Sequence, residues 1–152
     1  MDEILFRPAG PADLPHLIAL LADDALGRAR EDPADPPALA YRDAFAAIAR
    51  DPNQLLVVAE RSGAVVGCLQ LSFLPGLSHR GAWRGQIESV RIAASERGAG
   101  LGRHMLDWAI AECRRRGCRI VQLTSDKTRA DAIRFYESLG FKPSHEGLKL
   151  AL

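Results

Sequence analysis

Val90-Arg91-Ile92-Ala93-Ala94-Ser95-Glu96-Arg97-Gly98-Ala99-Gly100-Leu101-Gly102-Arg103 is the stretch on which the fold turns. An apolar strand runs into a short loop, and the loop runs into glycines at alternate positions that open a helix. Backbone N–H groups at a helix start have no intrahelical partners and sit at the positive end of the helix dipole. Glycines, lacking a Cβ, let such a backbone approach a ligand closely. The segment therefore predicts a phosphate cradle.

Several readings of the cradle compete. The plainest is a strand–turn–helix junction whose glycines only shape the turn. A dinucleotide site needs G-x-G-x-x-G with an acidic residue about 20 positions later. Counting from Gly98 puts Arg103 at the last glycine, and counting from Gly100 puts Met105 there. The later stretch Ile120-Val121-Gln122-Leu123 carries no acid. A phosphate-binding P-loop needs Gly-Lys followed by Ser or Thr, and the chain has no Gly-Lys. Both nucleotide readings fall.

A second block lies downstream, Asp131-Ala132-Ile133-Arg134-Phe135-Tyr136-Glu137-Ser138-Leu139-Gly140-Phe141. Arg97-x-x-Gly100-x-Gly102 resembles the Q/R-x-x-G-x-G/A loop of the GNAT family of N-acetyltransferases, which wraps the pyrophosphate of acetyl-CoA. The downstream block looks like that family's A-I-x-F-Y-E-x-L-G-F helix and turn. The blocks stand in the family's order, and the resemblance covers nearly the whole chain. It implies an α/β (α+β) fold, the acyl-CoA N-acyltransferase fold, with a mixed central sheet flanked by about four helices.

Bulk composition agrees with a globular chain. At 152 residues a single domain spanning 1–152 is expected, long enough to bury a core without staples. Apolar content of 47% and charged content of 26% are ordinary. A formal net charge of +1 argues against a general nucleic-acid binder. No apolar run approaches the roughly 18 residues of a membrane span, and Met1-Asp2-Glu3-Ile4-Leu5 lacks a signal-peptide charge pattern. Cys68, Cys113 and Cys118 show no C-x-x-C spacing, so neither a disulfide framework nor a zinc site is suggested. A cytoplasmic location is expected.

Along the chain, Glu3–Arg7 reads as a strand. A helix follows Pro11, with Leu14, Leu17, Ile18 and Leu21 on one stripe. Residues 30–37 read as a proline-rich loop, and about Pro37–Arg50 as a helix with Leu39, Phe45 and Ile48 on its apolar face. Gln54–Glu60, Arg61-Ser62-Gly63 and Ala64–Phe73 make a hairpin. Leu74–Gly85 is a loop, and Gln86–Ile92 is the strand that feeds the cradle. Leu101–Arg116 is a helix with Leu101, Met105, Ala109 and Cys113 on one face. Cys118–Thr124 reads as a buried strand, about Thr128–Leu139 as the last helix, and Phe141–Leu152 as one or two closing strands.

Acetyl transfer from a thioester to an amine requires an aligned pantetheine arm, a held pyrophosphate, a deprotonated amine and a protonated leaving thiolate. The resemblance assigns the first to the backbone of Val90, Arg91 and Ile92, with an N–H near Ile92 polarising the thioester carbonyl. Val90 and Ile92 can pack in the core as well. The resemblance gives the pyrophosphate to the N–H groups of Gly98, Ala99, Gly100, Leu101, Gly102 and Arg103, helped by the charges of Arg97 and Arg103. Arg103 reads equally as a solvated first-turn arginine. Phe135 and Arg129 complete the expected cofactor contacts; Arg129 stands where the family often has an asparagine, which puts the usual amide contact in doubt.

Tyr136 matches the family's general acid, a phenol that gives its proton to the thiolate. On spacing alone Ala132, Phe135, Tyr136 and Leu139 form an apolar stripe, and Tyr136 would read as core. Glu88 lies two residues before Val90 and by strand alternation faces the same side. The resemblance implies that it takes the amine proton, directly or through water; on its own it reads as a structural partner of an arginine or backbone group. His16, His79, His104 and His145 show no ligand spacing, and no metal is expected. Only His79 is a candidate neighbour of the acceptor. From Asp23 to Asp35 the local charge is −3, a solvated run or an attractor of a cationic amine.

These readings converge on acetyl transfer from acetyl-CoA, as co-substrate, to a primary amine, with no nucleic acid or membrane partner. A homodimer accords with the family's habit. The rival is a non-catalytic acyl-CoA sensor on the same fold.

Overall fold

The computed structural model describes residues 2–152. Strands β1 (Ile4–Pro8), β2 (Gln54–Arg61), β3 (Ala64–Leu74), β4 (Arg84–Ile92) and β5 (Ile120–Leu123) form one sheet in chain order. The first four pair antiparallel and β5 joins β4 in parallel, so the sheet is mixed. The helices are α1 (Leu14–Ala22), α2 (Ala25–Arg30), α3 (Leu39–Arg50), α4 (Ser78–Gly81), α5 (Leu101–Arg115) and α6 (Ala130–Ser138). Of these, α1, α3, α5 and α6 are the expected helices.

The sequence stripe of α5 packs as its spacing requires. Leu101, Met105, Leu106, Ala109 and Cys113 are buried against Val57, Ala59, Leu69, Leu71, Phe73 and Ile87 of the sheet. Close approach depends on Gly85: a Cβ there would stand 2.3 Å from the Cys113 sulfur, well inside contact distance. The opposite face of the sheet is covered by α1, where Leu17 packs on Val58 and Cys68 with Phe45 of α3 alongside.

Five segments differ from the sequence reading, the first being Leu74–Gly85, expected as a loop, which holds α4. The acidic segment after α1 contains α2, because the Asp24 carboxylate accepts the Gly27 N–H at 2.5 Å and caps the turn. On α3 only Phe45 joins the core, and Leu39 is 61% exposed at the first turn. β5 is half-buried because it lies at the sheet edge, not its centre. Among the described residues no strand follows it, and residues 141–152 have no ladder partners.

A charged clamp joins β1 to the start of α1. Asp13, buried to 7% exposure, accepts two bonds from the Arg7 guanidinium at 2.7 and 3.0 Å and one from the Gly10 N–H at 2.7 Å. Arg7 also donates to Glu60 on β2 at 2.8 Å. The bond from Arg7 holds the Asp13 carboxyl below its ordinary range, against the cost of burial. A carboxyl lowered on folding adds stability that is full above its unfolded value, near 3.9, and is lost as pH falls through the folded one. We expect Asp13→Asn to lose about 2 kcal/mol in urea unfolding at neutral pH. The gap to wild type should narrow from about pH 5 to about pH 2. A gap that stays constant over that range contradicts the assignment.

Candidate active site

The site begins where β4 loses a neighbour. β5 pairs with β4 only from Arg84 to Ile87, so among the described residues positions 88–92 of β4 have no strand partner on that side. On the other side the register with β3 slips: Cys68 faces Arg91 while Gln70 faces Glu88. Ser89 and Val90 thus stand opposite Leu69 alone, and Ser89 has a left-handed φ of 55°. This is a β-bulge, which bends a strand and re-aims its side chains. Past Ile87 the chain of β5 no longer pairs with β4, and the backbone groups on that side of β4 have no ladder partner among the described residues.

The cradle lies at the end of β4. Gly98 and Gly100 have φ of 81° and 85°, and a Cβ on either would meet no atom within 4 Å. Gly100 caps α5, and its carbonyl takes the His104 N–H at 3.2 Å. The N–H groups that precede that bond have no intrahelical acceptor. Ala99, Leu101 and Gly102 continue the same loop and first turn, with Leu101 buried in the core. Gly102 lies under Phe135, whose ring would be 3.5 Å from a Cβ there. Phe135 is therefore half-buried packing between α5 and α6. Arg103 reaches the Ser138 hydroxyl at 3.4 Å. Arg97 bonds the Ile92 carbonyl at 3.2 Å and the Asp23 carboxylate at 3.2 Å. The expected charge of Arg97 beside a phosphate is thus engaged by Asp23.

Tyr136 projects from α6 into the core between Phe135 and Phe141, at ring distances of 5.4 and 6.0 Å. Among the described residues no side chain bonds its hydroxyl. Burial pushes the phenol above its ordinary range, with Arg129 and Arg91 opposing, so it is neutral at pH 7. Arg129 itself is exposed at the start of α6, where its charge also acts on Asp24 and Asp126.

The bulge corrects the expected direction of Glu88. Ile87, Val90 and Ile92 all pack towards α5, because the extra residue resets the alternation. Glu88 therefore lies on the opposite face, which it shares with Arg91, and it is exposed. It accepts the Gln86 carboxamide at 3.0 Å, and Gln86 in turn accepts from Gln122 at 2.9 Å. Farther along the same face Gln54 accepts from Gln70 at 2.9 Å and from Ser72 at 3.1 Å. Arg91 donates to the Val90 carbonyl at 2.9 Å and lies 3.4 Å from Asp24. The Gly27 N–H, with Arg91, Arg129 and Arg30 behind it, keeps the Asp24 carboxylate below its ordinary range.

Sequence reading had not singled out this amide row or the Asp24–Arg91 pair. Its signal was a polar residue at matching register in each apolar strand: Gln54, Ser72, Gln86 and Gln122. His79 stands apart in α4, with left-handed backbone at His79 and Arg80. Both carbonyls there accept from Arg119 at 2.9 Å.

The family model described as "Acetyltransferase (GNAT) family" matches residues 17–141. The chain belongs to the GNAT family. The aminoalkylphosphonate N-acetyltransferase of Salmonella typhimurium is 39% identical over 106 residues, 70% of this chain and 68% of that one. The L-methionine sulfoximine/L-methionine sulfone acetyltransferase of Pseudomonas paraeruginosa is 34% identical over 144 residues, 91% of this chain and 80% of that one. A crystal structure from Bacillus halodurans C-125, described as a transcriptional regulator, aligns with a TM-score of 0.96 at 46% identity. It covers 99% of this chain and 100% of that one.

As a GNAT acetyltransferase, the protein uses acetyl-CoA as acetyl donor. The residues present suit that donor: a left-handed glycine loop open to solvent, a helix start with free N–H groups, and an unpaired strand edge beside it. Gly100→Val is expected to weaken acetyl-CoA binding by about tenfold, equivalent to ~1.4 kcal/mol. Gly63→Val is the control, because Gly63 has a φ of 80° and open space in the β2–β3 turn. Both variants should lose about 1–2 kcal/mol of stability from backbone strain. Calorimetric titration separates the two, and equal acetyl-CoA affinity would contradict a phosphate role for the loop.

Proposed function

We propose that the protein acetylates the primary amine of a small molecule by direct transfer within a ternary complex. The observation that carries the reading is the interrupted pairing of β4 and β5. Pairing between the two strands stops at Ile87, with Tyr136 packed on the α5–α6 side of the sheet and Glu88 on the other. A sheet interrupted in this way lets donor and acceptor approach from opposite faces and meet at one carbon.

Acetyl-CoA supplies the acyl group, activated as a thioester. In the proposed mechanism the free edge of β4 at Val90, Arg91 and Ile92 aligns the pantetheine amides as an added strand would. The Ile92 N–H donates to the thioester carbonyl as negative charge gathers on its oxygen. The N–H groups of residues 98–103 hold the pyrophosphate. Glu88 takes the proton of the attacking amine, directly or through water, and the Gln86 carboxamide orients its carboxylate. Tyr136 donates its phenolic proton to the departing sulfur. A phenol kept neutral by burial suits that task, because its proton is retained until negative charge develops beside it.

The polar face around Glu88 guides the choice of acceptor. Gln86 and Gln122 offer neutral donors and acceptors, while Arg91 adds positive charge. The two relatives named above act on small amines that carry phosphonate, sulfoximine or sulfone groups. An acceptor of the same kind, a primary amine close to a polar or anionic head, fits this lining. Aminoalkylphosphonates and L-methionine sulfone are therefore the first compounds to assay by released CoA thiol.

Turnover with a member of that set is the expected result. Binding of acetyl-CoA without release of thiol for any small amine would contradict the small-molecule reading. With an active acceptor in hand, Tyr136→Phe should lower kcat on the order of a hundredfold and leave the KM for acetyl-CoA nearly unchanged. An unchanged kcat would remove Tyr136 from the chemistry.

A further inference from the structure

The two deepest ion pairs on the α1 side of the sheet are made differently. Arg7 meets Asp13 through two bonds, of 2.7 and 3.0 Å. The Arg91 side chain is more buried, at 13% exposure against 32% for Arg7, yet its partner fits it worse. The Asp24 carboxylate stands 3.4 Å from the Arg91 Nε, beyond the roughly 2.7–2.9 Å of a charge-assisted bond. Nη1 donates to the Val90 carbonyl at 2.9 Å, while Nε is buried with no hydrogen-bond partner among the described residues. A buried guanidinium short of acceptors costs stability that a well-made pair would recover.

Asp24 does not close the gap because its other oxygen is already committed. Oδ1 accepts the Gly27 N–H at 2.5 Å and so caps α2. Gly27 is pressed against the end of α1, where the Leu21 carbonyl leaves no room for a Cβ. The carboxylate is thus tethered within reach of Arg91 but out of register with its fork of donors. An oxyanion that is not tethered can take both prongs of that fork. Arg129, exposed at the start of α6, adds a second positive charge that reaches Asp24. Arg91 also shares its face of β4 with Glu88, three residues away across the bulge.

We infer that Arg91 anchors an oxyanion carried by the acceptor, and that Asp24 is a tethered stand-in which the acceptor displaces. The inference rests on the small-molecule reading above and narrows it to amines whose anionic head lies a few bonds from the nitrogen. Such a compound reaches Glu88 with its amine and Arg91 with its head. An amine without an anionic head leaves Asp24 in place and gains nothing from Arg91. Arg91 is then a specificity-determining residue, acting on the affinity for the acceptor.

Steady-state kinetics at saturating acetyl-CoA test this with 2-aminoethylphosphonate and its diethyl ester, which keeps the amine and removes the anionic charge. Wild type should favour the phosphonate, and Arg91→Met should cut that preference on the order of thirtyfold, through the KM of the phosphonate. Asp24→Asn keeps a capping oxygen for α2 and removes the competing charge, so it should lower the phosphonate KM. A purely structural ion pair predicts the reverse, with both variants impaired towards both amines alike. Equal losses for the two amines in Arg91→Met, or a raised phosphonate KM in Asp24→Asn, overturn the inference. Should Arg91→Met not fold, Asp24→Asn decides alone. Equal use of the two amines by wild type overturns the inference and leaves the small-molecule reading standing, whereas use of neither overturns both.

Discussion

β4 is paired on both sides only as far as Ile87, and the rest of the site depends on that interruption. β5 ends opposite Ile87, and Ser89 enters as an extra residue two positions later. A regular, fully paired β4 would leave no backbone free for a ligand. It would also carry its polar and apolar side chains on fixed faces. The bulge instead sends Ile87, Val90 and Ile92 into the core under α5 while Glu88 and Arg91 face the other way. The strand thereby anchors the hydrophobic core and presents ionisable groups to solvent within a few residues.

The electrostatics on the two sides of the sheet differ accordingly. On the α5–α6 side the ionisable groups are held neutral by burial. The Tyr136 phenol is raised, and the Cys113 thiol is pushed up to about 11. Cys68 belongs to the opposite, α1-covered face but shares this fate because it is fully buried there. Neither thiol forms a thiolate at pH 7, so neither offers a nucleophile that competes with an amine. At the rim the balance reverses, with Asp24, Arg91 and Arg129 charged and mutually compensating. That pairing ties α2 to β4 and accounts for part of the acidic run between the first helices.

Much of this was legible in the residues. The alternation of Gln54–Glu60 and Ala64–Phe73 and the stripe of Leu101, Met105, Ala109 and Cys113 are local signals, and the hairpin and α5 follow them. Alternate glycines after an apolar strand likewise specify the turn into α5. The bulge was not legible, because Ser89 reaches positive φ through the register of β3, not through its own preference. One unseen residue then reversed the face assigned to Glu88. The pairing of Arg97 with Asp23 was not legible either, because the two are distant in sequence. The final leucines have a strand's alternation, but alternation alone cannot name the edge that a strand will join.

Amide hydrogen exchange, followed residue by residue on adding acetyl-CoA, tests the central claim that the unpaired edge of β4 is the donor site. Val90, Ile92 and the amides of residues 98–103 should become protected, while the outer amides of β1 and the β2–β3 turn at Gly63 keep their rates. Protection elsewhere, with the β4 edge exchanging as fast as in the free protein, would contradict the account.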